Sequence, residues 1–380
     1  MQEYRLLIDS TNYSQELDHM IENSKESIYV QFLTFEADYV GKKYAGLLMK
    51  KASEGLDVRV IIDGYYHLLI NDRLVLLPFY KLAEFAEVRK ELHRTKKMFD
   101  EMRDCGVKIK EINNRFRGLD LLRRNHKKIV LIDKRFAFLG GFNLSEHNFA
   151  WHDFAVKIRG GVARDILENF NSTWGSQPME YTIRSEGDFL LGNDRDNKIL
   201  RDYVFQAIDN ASDSIYIESP YIAGRIIEKL VRAASKGVSV SIIVPKRNNL
   251  HRHFLWITRY LEQYILDFAA KNNIHVYLYN NNGGMTHAKV LLVDDKLACF
   301  GSCNFDAFGF HFYEDLNLVS KNQSLVNELR MKLIEKDLSN SEAFCVRRMP
   351  IPNYLMGRLS NFFYSKYDQW TLKEASTNNC

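Results

Sequence analysis

HKKIVLIDKRFAFLGGFN, from His126 to Asn143, and HAKVLLVDDKLACFGSCN, from His287 to Asn304, are two copies of one pattern. Each carries H-x-K-x4-D: His126, Lys128 and Asp133 in the first, His287, Lys289 and Asp294 in the second. Two short apolar runs flank a charged turn in each copy, Asp133-Lys134-Arg135 and Asp294-Asp295-Lys296, which predicts a β-hairpin. Alternation along a strand puts the His and Lys of each pair on one face.

Working outward, the duplication extends well beyond the motif. MIENSKESIYVQFLTF from Met20 parallels AIDNASDSIYIESPYI from Ala207: a helix end, a polar turn, then an apolar strand. LMKKASEGLDVRVIID, ending at Asp63, parallels LVRAASKGVSVSIIVP, ending at Pro245; both read as helix, glycine stop and buried β-branched strand. Alternating strands and helices predict an α/β fold of two pseudo-symmetric repeats, each a mixed β-sheet flanked by helices, with the active site at their interface. The expected boundaries are 1–185 for the first repeat, 186–345 for the second and 346–380 for a C-terminal tail. Gly55 to His126 spans 71 positions against 50 for Gly237 to His287, so the first repeat carries an insertion, placed around 68–124. That stretch is amphipathic and basic, and fits a solvated helical hairpin or a substrate-side lid.

Composition narrows the class. The chain has 380 residues, 46% of them hydrophobic, enough for two packed domains and not for a disordered chain. With 52 basic against 48 acidic residues it is no polycation, so wrapping a nucleic-acid backbone is not its main task. Five scattered cysteines point to a reducing compartment. The N-terminus lacks a signal-peptide pattern, and no run of about 18 apolar residues occurs, so membrane contact is expected to be peripheral.

The chemistry follows from residue type. Phosphodiester transfer needs a nucleophile, a proton donor for the leaving alkoxide, and donors for the non-bridging oxygens. A neutral imidazole is a competent nucleophile near neutral pH, and a second, protonated imidazole can serve as the acid. Lys128, Lys289, Asn143 and Asn304 are the candidate substrate-binding groups, both asparagines lying 17 residues after their histidine. Asp153 and Glu314, each 27 residues after, are the candidate carboxylates that orient the imidazoles. The candidate catalytic set is therefore His126, Lys128, Asp133, His287, Lys289, Asp294, Asp153 and Glu314. Within it, Asp133 and Asp294 are expected to hold local structure rather than touch substrate. A lysine two residues from each histidine repels a divalent cation, so neither a metal nor a cofactor is expected at the motifs. His147, His152, His251, His253 and His311 have no duplicated partner and receive no function.

These residues resemble the phospholipase D superfamily, whose duplicated motif they contain intact. Within it the likeness is closest to bacterial cardiolipin synthases of the short type lacking N-terminal transmembrane helices. RNHKKIVLIDKRFAFLGGFNLSEH and THAKVLLVDDKLACFGSCNFD look like their first and second motifs, and the likeness also takes in WHDFAVKIRGGVARDILENFNSTW and ESPYIAGRIIEKLVRAASKGVSVSIIVP. The resemblance implies a metal-independent reaction through a phosphohistidine, passing a phosphatidyl group from one phosphatidylglycerol to another, with His126 as nucleophile and His287 as acid. Two departures stand out. Gly141 sits where a serine often stands, and Asp153 replaces the glutamate found at Glu314.

Substrate class is argued from the tail. Leu355, Leu359, Phe362, Phe363, Tyr367 and Trp370 recur at helical spacing among Arg347, Arg348, Arg358 and Lys366. That pattern suits an anionic phospholipid surface, or a helix docked on the protein's own core; resemblance favours the membrane, on its cytoplasmic face. Hydrolysis of phospholipid head groups, or an endonuclease using Arg115, Arg117, Arg123, Arg124, Lys127 and Lys128, are the alternatives. Nucleic acid is not the expected partner, and the sequence does not speak to oligomeric state.

Overall fold

A computed structural model describes residues 2–75, 82–114, 123–184, 187–193, 198–249, 256–281, 284–346, 350–362 and 366. The chain divides into two compact units, residues 1–182 and 183–380.

In the first unit β1 (Glu3–Ile8), α1 (Asp9–Glu22), β2 (Ser27–Phe32), α2 (Tyr39–Ser53) and β3 (Asp57–Asp63) come first. A small hairpin, β4 (Leu69–Ile70) and β5 (Arg73–Leu74), precedes the long α3 (Leu82–Asp104) and β6 (Lys108–Ile112). Then follow β7 (Ile129–Ile132), β8 (Phe136–Gly140), α4 (Glu146–Phe149), β9 (Phe154–Arg159) and α5 (Gly161–Gly175). The seven-stranded sheet runs β1-β9-β8-β7-β2-β3-β6, parallel at β2-β3-β6 and antiparallel elsewhere. Parallel neighbours require helical crossovers, which α2 and α3 supply. Every residue of β2 and β7 is buried, as expected for central strands covered on both faces. Their core packs Ile28, Val30, Val60, Ile62 and Val130 against Leu17, Tyr44, Leu48, Phe99 and Met102.

The second unit repeats this order. Its elements are β10 (Phe189–Asn193), α6 (Ile199–Asp209), β11 (Ser214–Glu218), α7 (Arg225–Ser235), β12 (Ser239–Pro245), α8 (Trp256–Lys271) and β13 (His275–Tyr279). They continue with β14 (Val290–Val293), β15 (Leu297–Gly301), α9 (Ala307–His311), β16 (Asp315–Ser320), α10 (Gln323–Leu329), α11 (Glu335–Ser339) and β17 (Ser341–Ala343). The sheet order is β10-β16-β15-β14-β11-β12-β13-β17, the first sheet's order with one added edge strand. Each sheet is mixed and flanked by helices, as the sequence implied.

Local chemistry explains the shared boundaries. Gly55 and Gly237 end α2 and α7 at the same left-handed φ of 93°, a conformation that costs a side-chain-bearing residue energy. α3 occupies the same crossover position as α8, so much of the basic 68–124 stretch is the helix that any parallel β3-β6 pair demands. Among the described residues the hairpin β4-β5 has no counterpart in the second unit.

Residues 351–362 form a helix against α8. Gly357 faces Tyr264 and the Tyr260 carbonyl so closely that a Cβ would lie 2.6 and 2.7 Å away, and the Tyr354 and Tyr264 rings meet at 5.5 Å. The other face leaves Ile351, Leu355, Leu359 and Phe362 exposed. Phe363, Tyr367, Trp370, Arg347 and Arg348 lie outside the described residues, as do Arg115, Arg117, His251 and His253. Among the described residues no helix is long and apolar enough to cross a membrane.

Candidate active site

Each motif sits where the central antiparallel strand enters its sheet, and the turn at its far end explains the aspartate. Asp133 and Lys134 adopt φ of 51° and 55°, Asp294 and Asp295 φ of 55° and 48°, the paired left-handed geometry of a tight hairpin. From there Asp133 Oδ1 accepts from the amides of Lys25, Glu26 and Ser27 at 3.0, 2.7 and 3.1 Å. Asp294 Oδ1 likewise accepts from Ser212, Asp213 and Ser214 at 3.2, 2.8 and 3.0 Å. Each carboxylate thus ties the turn to the start of the neighbouring antiparallel strand, β2 or β11, at the opposite end of β7 or β14 from the histidine. In both units the aspartate clamps the scaffold through these amides. Burial works to raise the Asp294 carboxyl, but the amides of Asp213, Ser214 and Ser212 outweigh it and hold it below the usual range.

At the working end, His126, Lys128 and Asn143 are 5%, 2% and 5% exposed, and His287, Lys289 and Asn304 are 5%, 0% and 3%. Lys128 Nζ donates to the His126 carbonyl at 2.6 Å, and Lys289 Nζ to the His287 carbonyl at 2.6 Å. Lys289 Nζ also lies 3.0 Å from both ring nitrogens of His287. Asn143 Nδ2 donates to Asn148 Oδ1 at 3.0 Å, and its oxygen accepts from the Thr34 amide at 3.4 Å. Asn304 Oδ1 is buried without a hydrogen-bond partner among the described residues.

The approach to each histidine is pinned from β2 or β11. Gln31 Nε2 donates to Asn125 Oδ1 at 2.7 Å, while in the second unit Thr286 Oγ1 donates to the buried carboxylate of Glu218. In the first unit Asp63 adds a further anchor, accepting from the Asn125 amide at 2.7 Å and lying 3.3 Å from the Arg124 guanidinium. Burial pushes the Asp63 carboxyl up to about 6 against the lowering pull of Arg124. Asn125, Thr286, Gln31 and Glu218 were not singled out by sequence reasoning. Their signal was visible only as the polar residue before each motif histidine.

Register corrects one assignment. Gly140 pairs with Ala155 across β8-β9, and Gly301 with Asn317 across β15-β16. Continued by two residues, this pairing sets Asp153 level with Phe142 and His126, and Asp315, not Glu314, level with Cys303 and His287. The equal count of 27 residues is a coincidence of numbering. α9 spans Ala307–His311 where α4 spans Glu146–Phe149, and that one extra residue moves the equivalent position to 315. Asp153 and Asp315 are buried at 1% and 0%, whereas Glu314 is half-buried. Both repeats therefore carry an aspartate here, and the apparent glutamate-for-aspartate departure disappears.

The Gly141 departure has a spatial reason. A Cβ at Gly141 would stand 2.2 and 2.4 Å from the Asp153 carboxylate oxygens, so the first repeat has no room for a side chain. In the second, Ser302 fills that place and donates to Asp315 Oδ1 at 2.7 Å. The serine hydroxyl is thus committed to the carboxylate.

A duplicated mixed sheet with an H-x-K-x4-D segment at the same rung of each copy is the architecture of the phospholipase D superfamily. The family described as cardiolipin synthase, PLD-like domain, matches residues 17–174 and 204–337, and the chain belongs to it. The major cardiolipin synthase ClsA of Bacillus subtilis (strain 168) is 26% identical over 363 residues, covering 89% of this chain and 69% of that protein. A cardiolipin synthase of Clostridium perfringens (strain SM101 / Type A) is 26% identical over 364 residues, covering 88% and 70%. Among solved structures, phosphatidylserine synthase of Haemophilus influenzae Rd KW20 superposes with a TM-score of 0.72 at 16% identity, covering 97% of this chain and 94% of that one, a likeness of fold.

Proposed function

We propose that this chain is a phosphatidyltransferase that makes cardiolipin from phosphatidylglycerol. The observation that carries the reading is similarity to cardiolipin synthases over 88–89% of this chain, with both motifs intact on matched rungs of the two sheets.

In the first step an imidazole nitrogen of His126 attacks phosphorus of one phosphatidylglycerol. The P–N bond forms, the P–O bond to the glycerol head group breaks, and His287 gives its proton to the departing alkoxide. In the second step His287 takes the proton from the hydroxyl of a second phosphatidylglycerol. That oxygen attacks phosphorus, the P–N bond breaks, and cardiolipin and free His126 result. Lys128, Lys289, Asn143 and Asn304 hold the non-bridging oxygens, and Asp153 and Asp315 fix each imidazole's tautomer. No metal enters.

The lipid enters from an anionic membrane to which the enzyme is bound peripherally, at the cytoplasmic face. The exposed row Ile351, Leu355, Leu359 and Phe362 supports this, since its opposite face is already taken by α8. Against the endonuclease alternative, three of its six basic residues, Arg124, Lys127 and Lys128, are at most 5% exposed, and Arg124 is paired with Asp63.

Incubation with labelled phosphatidylglycerol vesicles, followed by mass analysis, tests the proposal. Cardiolipin with equimolar glycerol is expected. Phosphatidic acid alone would make the chain a hydrolase, and unchanged lipid would refute the assignment.

A further inference from the structure

One cluster in the first unit has no part in phosphoryl transfer and no counterpart in the second. Glu36 and Asp38 follow β2, His147 lies on α4, and Asp72 sits at the turn of the β4-β5 hairpin. Single donor atoms of Glu36, Asp38 and His147 all lie within 4.8 Å of one another. Glu36 Oε2 is 3.6 Å from His147 Nδ1, and Asp72 Oδ1 is 3.6 Å from His147 Nε2. Donors bonded to one small cation at about 2.0–2.2 Å stand roughly 3–4 Å apart, the separation of Glu36 Oε2 and His147 Nδ1.

One buried pair of atoms marks a ligand position rather than a chance grouping. The Glu36 side chain is 1% exposed; Oε1 accepts from the Asn71 amide at 3.1 Å, but Oε2, which faces the cluster, has no hydrogen-bond partner. His147 Nδ1 is likewise buried and unpartnered, and points at the same oxygen. Asp38, Glu91 and Asp72 set negative charge around Glu36. An ionised carboxylate so placed is costly unless a cation neutralises it.

We propose that Glu36, Asp38 and His147 form a divalent-cation site, with His147 facing it through Nδ1 while the Asn148 side-chain amide, 2.6 Å from Nε2, orients the ring and Asp72 adds negative charge 3.6 Å away. Two carboxylates and an imidazole, without thiolate, select a borderline transition cation such as Zn²⁺ or Mn²⁺ over Mg²⁺ or Ca²⁺. The ion staples the loop after β2 to α4, and through Asp72 gathers in the hairpin that the second repeat lacks. In the second repeat the register equivalents of Glu36, Asp38 and His147 are Ala223, Arg225 and Phe308, so the site belongs to the first repeat alone.

Full-length protein, stripped with chelator and desalted, is titrated with Zn²⁺ and with Mn²⁺ under equilibrium dialysis, beside Mg²⁺ and Ca²⁺. One Zn²⁺ or Mn²⁺ per chain is expected, together with a rise in melting temperature. Affinity should fall at least about tenfold in Glu36→Gln and His147→Gln and stay unchanged in the exposed control His93→Gln. If Glu36→Gln does not fold, His147→Gln and Asp72→Asn, both at the rim, carry the comparison. No saturable uptake, or equal uptake by His147→Gln and His93→Gln, overturns the site.

Discussion

The two half-sites stand on one scaffold and differ in what lies behind each histidine. Behind His126 the support is a neutral amide pair, Gln31 to Asn125, and a glycine that leaves the space to Asp153. Behind His287 it is a carboxylate, Glu218 holding Thr286, and a serine bonded to Asp315. Duplication fixed the ladder, the clamp aspartates and the lysines. The residues that touch them have diverged, as expected if the nucleophile and the proton carrier need different surroundings. Behind His126 the Asp63–Arg124 ion pair also holds Asn125, a support the second unit does not repeat among the described residues.

The comparison can be broken most decisively at the histidines. His126→Ala should lower turnover by about four orders of magnitude or more, since no other group in the proposed mechanism bonds to phosphorus. His287→Ala should cost about 10²–10⁴ in kcat, the usual worth of general acid–base catalysis. Steady-state assays on phosphatidylglycerol vesicles measure both, and equal, mild losses would remove the division of labour.

A sharper test separates neighbours that the sequence confused. Asp315→Asn should lower kcat at least about tenfold with KM little changed, while Glu314→Gln should stay within about twofold. The reverse order would restore the count of 27 and discard the register. Gly141→Ser should displace the Asp153 carboxylate and depress activity, whereas Ser302→Gly, which removes one donor and clashes with nothing, should be the milder change.

The smallest effect belongs to the turn clamps. Asp294→Asn loses the charge that three amides hold, and melting should fall by about 2–4 °C near neutral pH. Because the folded carboxyl is lowered, its stabilisation is complete above the ordinary carboxylate range of about pH 4 and disappears as pH falls through the lowered value. Wild type and variant should therefore converge in strong acid. A constant gap would mean the clamp is not electrostatic.

Much of this was legible from sequence because duplication supplies its own control. Matching segments gave both sheets, their order of elements, the glycine stops and the His, Lys and Asn positions. What failed was counting across a loop. Offsets of 17 survive because they cross only a hairpin of fixed length, while offsets of 27 cross α4 or α9, where a single added residue shifts the frame. The supports Gln31 and Glu218 were hidden for another reason: strand neighbours far apart in sequence leave no local spacing to read. The Glu36–Asp38–His147 cluster was missed likewise, since its members meet only once the loop after β2 packs on α4.

The central claim is that one histidine carries the phosphatidyl group and the other carries its proton. Wild type, His126→Ala and His287→Ala are mixed with phosphatidylglycerol vesicles, quenched in base, digested and mapped by mass spectrometry. The account requires a phosphatidyl adduct on the peptide bearing His126, transient in wild type, slow to form or resolve in His287→Ala and absent from His126→Ala. An adduct on His287, or cardiolipin made at wild-type rate by the His126→Ala protein, would contradict it.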